Sequence, residues 1–341
     1  MHTTSSGRFR LPGLHVLLLL LIVCNSLNGN GSDNGSQFQE TIATDLEVPW
    51  AIDFLPDGRL IFTERPGSVK MFSDGEITTV GQLKVANVGE AGLLGLAVDP
   101  EFNQNRYVYI YYSYDPDELI NRISRYTLDD SLRDEKILLD TIPGATIHNG
   151  GRLKFGPDGF IYATTGDAGD PEIAGNPQTL GGKILRMGKD GSVPQDNPFN
   201  NYVWALGLRN PQGLAWHEDG TLYASEHGPN RRDAIREIER GTDYGWPKTC
   251  EETPSVRCYT EFTLAPSGIA IVGDNLYAAG LRGNQLRKIN LQNNTDEELL
   301  TGQGRLRNAV YHEGELYIST SNRDGRGNPG TNDDRIFTFV P

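Results

Sequence analysis

The chain has 341 residues, 37% of them hydrophobic, and a formal net charge of −14. That is enough apolar material for a sizeable core, and the acidic balance argues against nucleic acid or an anionic membrane as a partner. Forty glycines, 19 prolines and no sustained 3.6-residue apolar period beyond the N-terminus exclude a predominantly helical protein.

The N-terminus reads as an export signal over residues 1–26. Arg8 and Arg10 form a basic region ahead of the apolar stretch "LHVLLLLLIVC" at 14–24, which is short for a membrane span. Cleavage after Ser26 suits the small-residue rule, and a lipid on Cys24 or an uncleaved anchor is the alternative. Loss of Arg8 and Arg10 would leave the exported chain near −16. Residues 27–37 are a polar linker of Gly, Asn and Ser that has nothing to pack with.

From residue 38 to 341 one strand-turn-strand unit recurs six times. The units are "IDFLPDGRLIFTERPG", "LAVDPEFNQNRYVYIYYSY", "LKFGPDGFIYATTGD", "LAWHEDGTLYASEHG", "IAIVGDNLYAAGLRG" and "AVYHEGELYISTSNRDG". Apolar and polar residues alternate on both sides of a tight turn, which is the hairpin signal. The turn markers Gly58, Asn103, Gly159, Gly220, Asp274 and Gly314 are 40 to 61 residues apart. Such a period predicts an all-β, six-bladed β-propeller with four-stranded antiparallel blades. The loops between units are the expected location of chemistry.

Four loop clusters stand out. His148 and Asn149 precede the third unit, in a polar setting where an imidazole either takes a proton near neutral pH or is a surface or structural residue. "GLRNPQGL" carries Arg209 and Asn210. "SEHGPN" carries Gly228 and Pro229, whose carbonyls suit a hard cation if they are more than a plain turn. "GRLRNAV" sets Arg305 and Arg307 two apart, on one face of a strand. With Arg209 and Arg282 they either converge on a small polycarboxylate or are solvated surface charges. Cys250 and Cys258 read as a local disulfide, with buried free thiols as the alternative. G-x-S-x-G, G-x-G-x-x-G and P-loop motifs are absent, which disfavours nucleotide cofactors.

Seven segments stand in order: "VPWAIDFLPDG", "GEAGLLGLAVDPEF", "IHNGGRLKFGPDGFIYATTGD", "GGKILRMGKDGSVPQDNPF", "LGLRNPQGLAW", "SEHGPN" and "DYGWP". Together they make residues 40–341 resemble the soluble PQQ-dependent sugar dehydrogenases, the aldose and glucose/sorbosone dehydrogenase group. The resemblance implies pyrroloquinoline quinone (PQQ) held with Ca²⁺, and oxidation of an aldose to a lactone with electrons passed to an external acceptor. It also implies His148 as general base. Arg209, Asn210, Thr263, Arg305 and Arg307 would contact PQQ, and the carbonyls of Gly228 and Pro229 would bind the catalytic calcium. Arg282 stands where relatives carry lysine, and Glu90 where they commonly carry glutamine near cofactor and substrate. A carboxylate there is awkward unless protonated or paired. Ile147 replaces an acidic residue ahead of the base, so an orienting partner for His148 is expected to be missing. Tyr244 and Asp233 are candidates for a second, structural calcium, but Ala234 stands where some relatives have a calcium-binding glutamate. The two glycines after Asn149 are expected to let cofactor or sugar approach the backbone. The alternatives are a propeller that binds a ligand without redox chemistry and a calcium-dependent lactonase. The expected product is an exported protein, monomer or homodimer, touching a membrane only through its N-terminus.

Overall fold

A computed structural model of the protein describes residues 1–3, 38–115 and 117–341. Apart from the first three residues, the expected export signal and linker lie outside the described residues. Among the described residues no helix is long and apolar enough to cross a membrane.

Six antiparallel sheets of four strands follow one another along the chain. Blade 1 comprises Pro49–Phe54, Leu60–Glu64, Ser68–Ser73 and Glu76–Gln82. Blade 2 comprises Leu93–Val98, Tyr107–Tyr114, Ile120–Leu128 and Leu132–Pro143. Blade 3 comprises Leu153–Phe155, Ile161–Thr165, Lys183–Met187 and Val203–Ala205. Blade 4 comprises Pro211–Trp216, Leu222–Glu226, Asp233–Glu237 and Arg257–Tyr259. Blade 5 comprises Pro266–Val272, Asn275–Gly280, Gln285–Asn290 and Asp296–Leu299. Blade 6 takes Leu306–His312, Glu315–Thr320 and Ile336–Phe339 from the end of the chain and Phe38–Ala43 from its beginning.

Each sequence unit is the first hairpin of a blade. Its register is set by alternation of side chains about the turn, as in Phe54 opposite Leu60 and His312 opposite Glu315. The first strand of each blade meets the next blade's first strand, except that Pro211–Trp216 of blade 4 meets Ile161–Thr165 of blade 3, and Leu306–His312 returns to Pro49–Phe54, so the ring closes. Phe38–Ala43 pairs with Ile336–Phe339 through Thr41 opposite Phe337 and Ala43 opposite Ile336. This pairing covers an edge that would otherwise stay open.

Large apolar residues fill the wedges between blades. Trp50, Leu94, Tyr111, Leu153 and Ala163 share one buried cluster spanning blades 1 to 3. The first strands therefore carry apolar residues toward neighbouring blades and leave their starting ends, with Trp50, Arg152, Gln212 and Arg307, near the channel. Cys250 and Cys258 form a disulfide beside the last strand of blade 4.

Candidate functional site

Two sets of loops meet at one end of the channel. One set enters each blade and carries Glu90, His148, Arg209 and Arg305. The other joins the second and third strands within a blade and carries Arg65, Asp167, His227, Arg282, Asp324 and Arg326. The sequence reading treated the loops after the second strands as links between units. The structure corrects this, because those loops stay inside their own blades.

His148 is held at three points. Its N–H donates to Glu90 Oε2 at 2.9 Å. Its carbonyl accepts the Ala168 N–H at 3.2 Å. Its ring Nδ1 lies 2.7 Å from Asp167 Oδ1. Its backbone is left-handed, with φ +57°, a conformation that costs a non-glycine residue about 1–2 kcal/mol and needs such support. Asp167 is 1% exposed. A carboxylate only accepts, so Nδ1 carries the proton and Nε2 is the basic nitrogen. Nε2 makes no hydrogen bond among the described residues. The second Asp167 oxygen accepts Trp246 Nε1–H at 2.8 Å.

The expectation that Ile147 leaves His148 without an orienting acid is overturned. The acid comes from the other set of loops, in "TTGD" at the end of the second strand of blade 3. Gly166 makes this approach possible, since a Cβ there would lie 1.9 Å from the His148 carbonyl oxygen. The reading of "NGG" also changes. A Cβ on Gly150 would meet Thr164 O at 2.6 Å and one on Gly151 would meet Leu94. These glycines let loop and strands pack against each other, whatever the ligand.

Beside His148 lies a small cavity of about 20 Å³ lined by Trp50, Arg65, Glu90, His227, Arg307 and Arg326, among others. Glu90 is paired: Arg326 Nη1 donates to its Oε1 at 2.6 Å. Burial pushes Glu90 up, but Arg326 and the His148 N–H outweigh it and leave the carboxyl below its ordinary range. Arg305 Nη2 lies 2.8 Å and Arg307 Nη2 3.6 Å from Asp324 Oδ2, so the two arginines do share a face. Burial pushes Arg307 down to about 9, and it also lowers Arg65. Four guanidiniums (Arg65, Arg305, Arg307, Arg326) thus face two carboxylates, Glu90 and Asp324. Nε of Arg65, Nε of Arg307 and Nε2 of His227 are buried without a hydrogen-bond partner. Burial holds His227 down to about 3, so this imidazole is neutral at ordinary pH.

The "HGPN" loop is clamped from below. Buried Asp233 accepts the Gly228 N–H at 3.0 Å and the Leu264 and Ala265 N–H groups at 2.8 Å each. Arg209 Nη1 donates to His227 O at 3.1 Å and Gly228 O at 3.3 Å, so a cationic group already sits on these carbonyls. Pro229 O accepts the Arg232 N–H at 3.0 Å, using one of its two lone pairs. Asn210 Oδ1 accepts the Gly150 N–H at 3.0 Å and ties this loop to the one bearing His148.

The sequence profile of the glucose/sorbosone dehydrogenase family matches residues 46–328. The chain belongs to this family. It is 36% identical to the PQQ-bound aldose sugar dehydrogenase of Streptomyces coelicolor, with a TM-score of 0.84 over 89% of this chain and 97% of that one. A putative oxidoreductase (glucose dehydrogenase) of Thermus thermophilus shares 39% identity and a TM-score of 0.84 over 88% of this chain and 99% of that one. Quinoprotein glucose dehydrogenase B of Acinetobacter calcoaceticus is 37% identical, but the match covers 61% of this chain and only 52% of that protein.

Among the candidates that the family resemblance nominated, Glu90 and Arg307 line the cavity, and Arg282, Thr263 and Tyr244 do not. Arg282 is exposed, and Leu281 is the residue of its loop that reaches the cavity lining. Thr263 is half-buried and makes no side-chain hydrogen bond among the described residues. Tyr244 is a core residue whose hydroxyl donates to Glu237 O at 2.5 Å and accepts the Glu239 N–H at 2.9 Å. Among the described residues no group of three or more His, Cys, Asp or Glu is placed to hold a metal. Sequence reasoning missed Asp167, Trp246, Arg65, Asp324 and Arg326. The one available signal was position, because each follows the second strand of a unit or, for Trp246, lies in the "DYGWP" segment.

Proposed function

We propose that this member, exported to the periplasm, the cell surface or the medium, oxidises aldoses at the anomeric carbon to lactones, using PQQ and Ca²⁺ and passing electrons to an external acceptor. The reading is carried by one observation: the His148–Asp167 pair adjoins a cavity where buried guanidinium N–H groups lack partners. The donor set fits a polycarboxylate, for which Arg65, Arg307 and Arg326 on the cavity wall, with Arg305 behind them on Asp324, offer N–H groups. A hard cation would find only the remaining lone pairs of the Gly228 and Pro229 carbonyls, beside the Arg209 and Arg232 donors, on a loop that Asp233 fixes. When bound, the quinone supplies an acceptor for the electrons leaving the sugar and calcium polarises it as a Lewis acid.

The chain's own part is acid–base chemistry and orientation. Asp167 sets the tautomer so that Nε2 faces the sugar hydroxyl as an acceptor. Nε2 takes the anomeric hydroxyl proton, and the buried Asp167 carboxylate stabilises the imidazolium that results. Trp246 fixes the carboxylate, while Glu90 and Arg326 fix the backbone of the base. Neutral His227 offers an uncharged nitrogen at the cavity wall.

Reconstitution with PQQ and Ca²⁺, followed by a sugar panel with dye reduction, tests the reading. Aldose-dependent dye reduction is expected, and His148→Ala should bind PQQ while losing most turnover. Tight PQQ binding with no oxidation of any aldose would leave a non-catalytic binding propeller; equal turnover in His148→Ala would remove the assigned base.

A further inference from the structure

Below the first cavity, inside the channel, lies a second one of about 30 Å³. Its polar lining consists of Asp53, Arg152, Lys154 and Asn308, set among apolar residues such as Leu96 and Ile269. Arg152 is 5% exposed and Asn308 2%. Arg152 Nη2 and Asn308 Nδ2 are buried without a hydrogen-bond partner. Lys154 Nζ makes no hydrogen bond among the described residues.

The charges do not balance. Asp53 is the carboxylate of this cavity, and its two oxygens accept the N–H groups of Phe54 at 2.9 Å and Val98 at 2.8 Å. Lys154 feels Asp53 as an attractive neighbour and Arg152 as a repulsive one. Arg152 has no carboxylate beside it. It donates Nε–H to Gln212 O at 2.9 Å and rests on the Trp50 ring at 4.3 Å. Arg307 lies over the same ring at 5.7 Å and repels it. Burial, with that repulsion, pushes Arg152 down to about 9, still charged at neutral pH. An unpaired buried cation is strongly disfavoured, and proteins meet the need with an anionic partner.

We propose that this cavity holds a monatomic monovalent anion of chloride size, bound by Arg152, Lys154 and Asn308. The space is about twice what one water molecule needs, which suits one such ion. Two cations against one carboxylate leave a single positive charge to neutralise. Two unpartnered N–H groups and one ammonium supply donors of the right sign, and none of them belongs to the site proposed for the redox reaction. The ion also lowers the repulsion between Arg152 and Arg307 across Trp50, so halide binding stabilises the fold.

The test uses the full folded protein. Crystals soaked in bromide should show an anomalous peak within hydrogen-bond reach of Arg152 Nη2 and Asn308 Nδ2. In thermal unfolding at fixed ionic strength, saturating chloride or bromide should raise Tm by about 2–4 °C over gluconate, which does not fit. Asn308→Leu should weaken the halide dependence and Arg152→Met should abolish it. If Arg152→Met does not fold, the anomalous experiment and Asn308→Leu decide alone. A water without anomalous signal in the bromide crystals, or equal Tm in all three anions, would overturn the proposal.

Discussion

Asp167→Asn is the sharpest perturbation of the proposed chemistry, because the new amide is mismatched in either orientation. Asp167 Oδ1 receives His148 Nδ1 at 2.7 Å and the Gly169 N–H at 2.8 Å, while Oδ2 receives Trp246 Nε1–H at 2.8 Å. An amide NH₂ at Oδ2 meets the Trp246 donor. An NH₂ at Oδ1 meets the Gly169 donor and turns His148 into the tautomer with Nε2 protonated, which cannot act as a base. Losing one charge-assisted hydrogen bond to the base is worth about 1.5–3 kcal/mol, or roughly 10- to 150-fold in rate. A trapped wrong tautomer extends the loss toward about 10⁴-fold. Dye-coupled kcat of reconstituted enzyme is the assay, with PQQ affinity measured separately by titration. The expected result is a large fall in kcat with PQQ affinity nearly unchanged. Wild-type kcat in Asp167→Asn would refute the assignment of Asp167 as the group that orients the base, and an equal loss in PQQ affinity would place it in binding instead.

Three more outcomes follow from the geometry. Replacing Cys250 and Cys258 by serine opens a loop with a sequence separation of 8, which should lower unfolding free energy by about 2.5 kcal/mol in denaturant titration. Asp324 is pushed up by burial, yet Arg307 and Arg305 outweigh this and hold it below its ordinary value of 3.8. A depressed carboxyl stabilises above its unfolded pKa and loses that contribution as pH falls through the folded one. Asp324→Asn should therefore remove part of the acid-induced loss of stability below about pH 4, measured as Tm against pH. Deleting the chain through Ala43 uncovers Ile336–Phe339 and should abolish a single cooperative unfolding transition, with aggregation, in calorimetry.

Blade count, strand order within hairpins and the disulfide were legible because they depend on local signals: alternation about a turn, its recurrence, and two cysteines within one loop. The closing strand Phe38–Ala43 was not. Its partner lies almost three hundred residues away, and nothing local distinguishes an edge strand from a closing one. The site divides along the same line. His148, Arg209, Asn210, Gly228, Arg305 and Arg307 carry compact motifs, and the structure brings them to one end of the channel. Arg282 kept its charge in the right segment but points to solvent, since side-chain direction in a loop is not a property of the motif.

Asp167 shows why the partner of the base was missed. Along the chain the residue ahead of His148 is Ile147, not an acid. A propeller supplies neighbours differently, by bringing the loop that enters a blade against the loop that follows its second strand. The acid therefore belongs about one hairpin downstream, 19 residues on, at the end of the Ile161–Thr165 strand. The same rule places Glu226 after Arg209, where its carboxylate accepts the Arg209 N–H at 2.6 Å, and Asp324 after Arg305 and Arg307. Three blades thus repeat one device: a functional residue on the entering loop, and a carboxylate from the end of the following strand or just beyond it. Each carboxylate is buried beside a group it holds, and each fixes a residue whose position the chemistry depends on. An acid at that offset is the signal to seek when a propeller's base has no acid beside it in the chain.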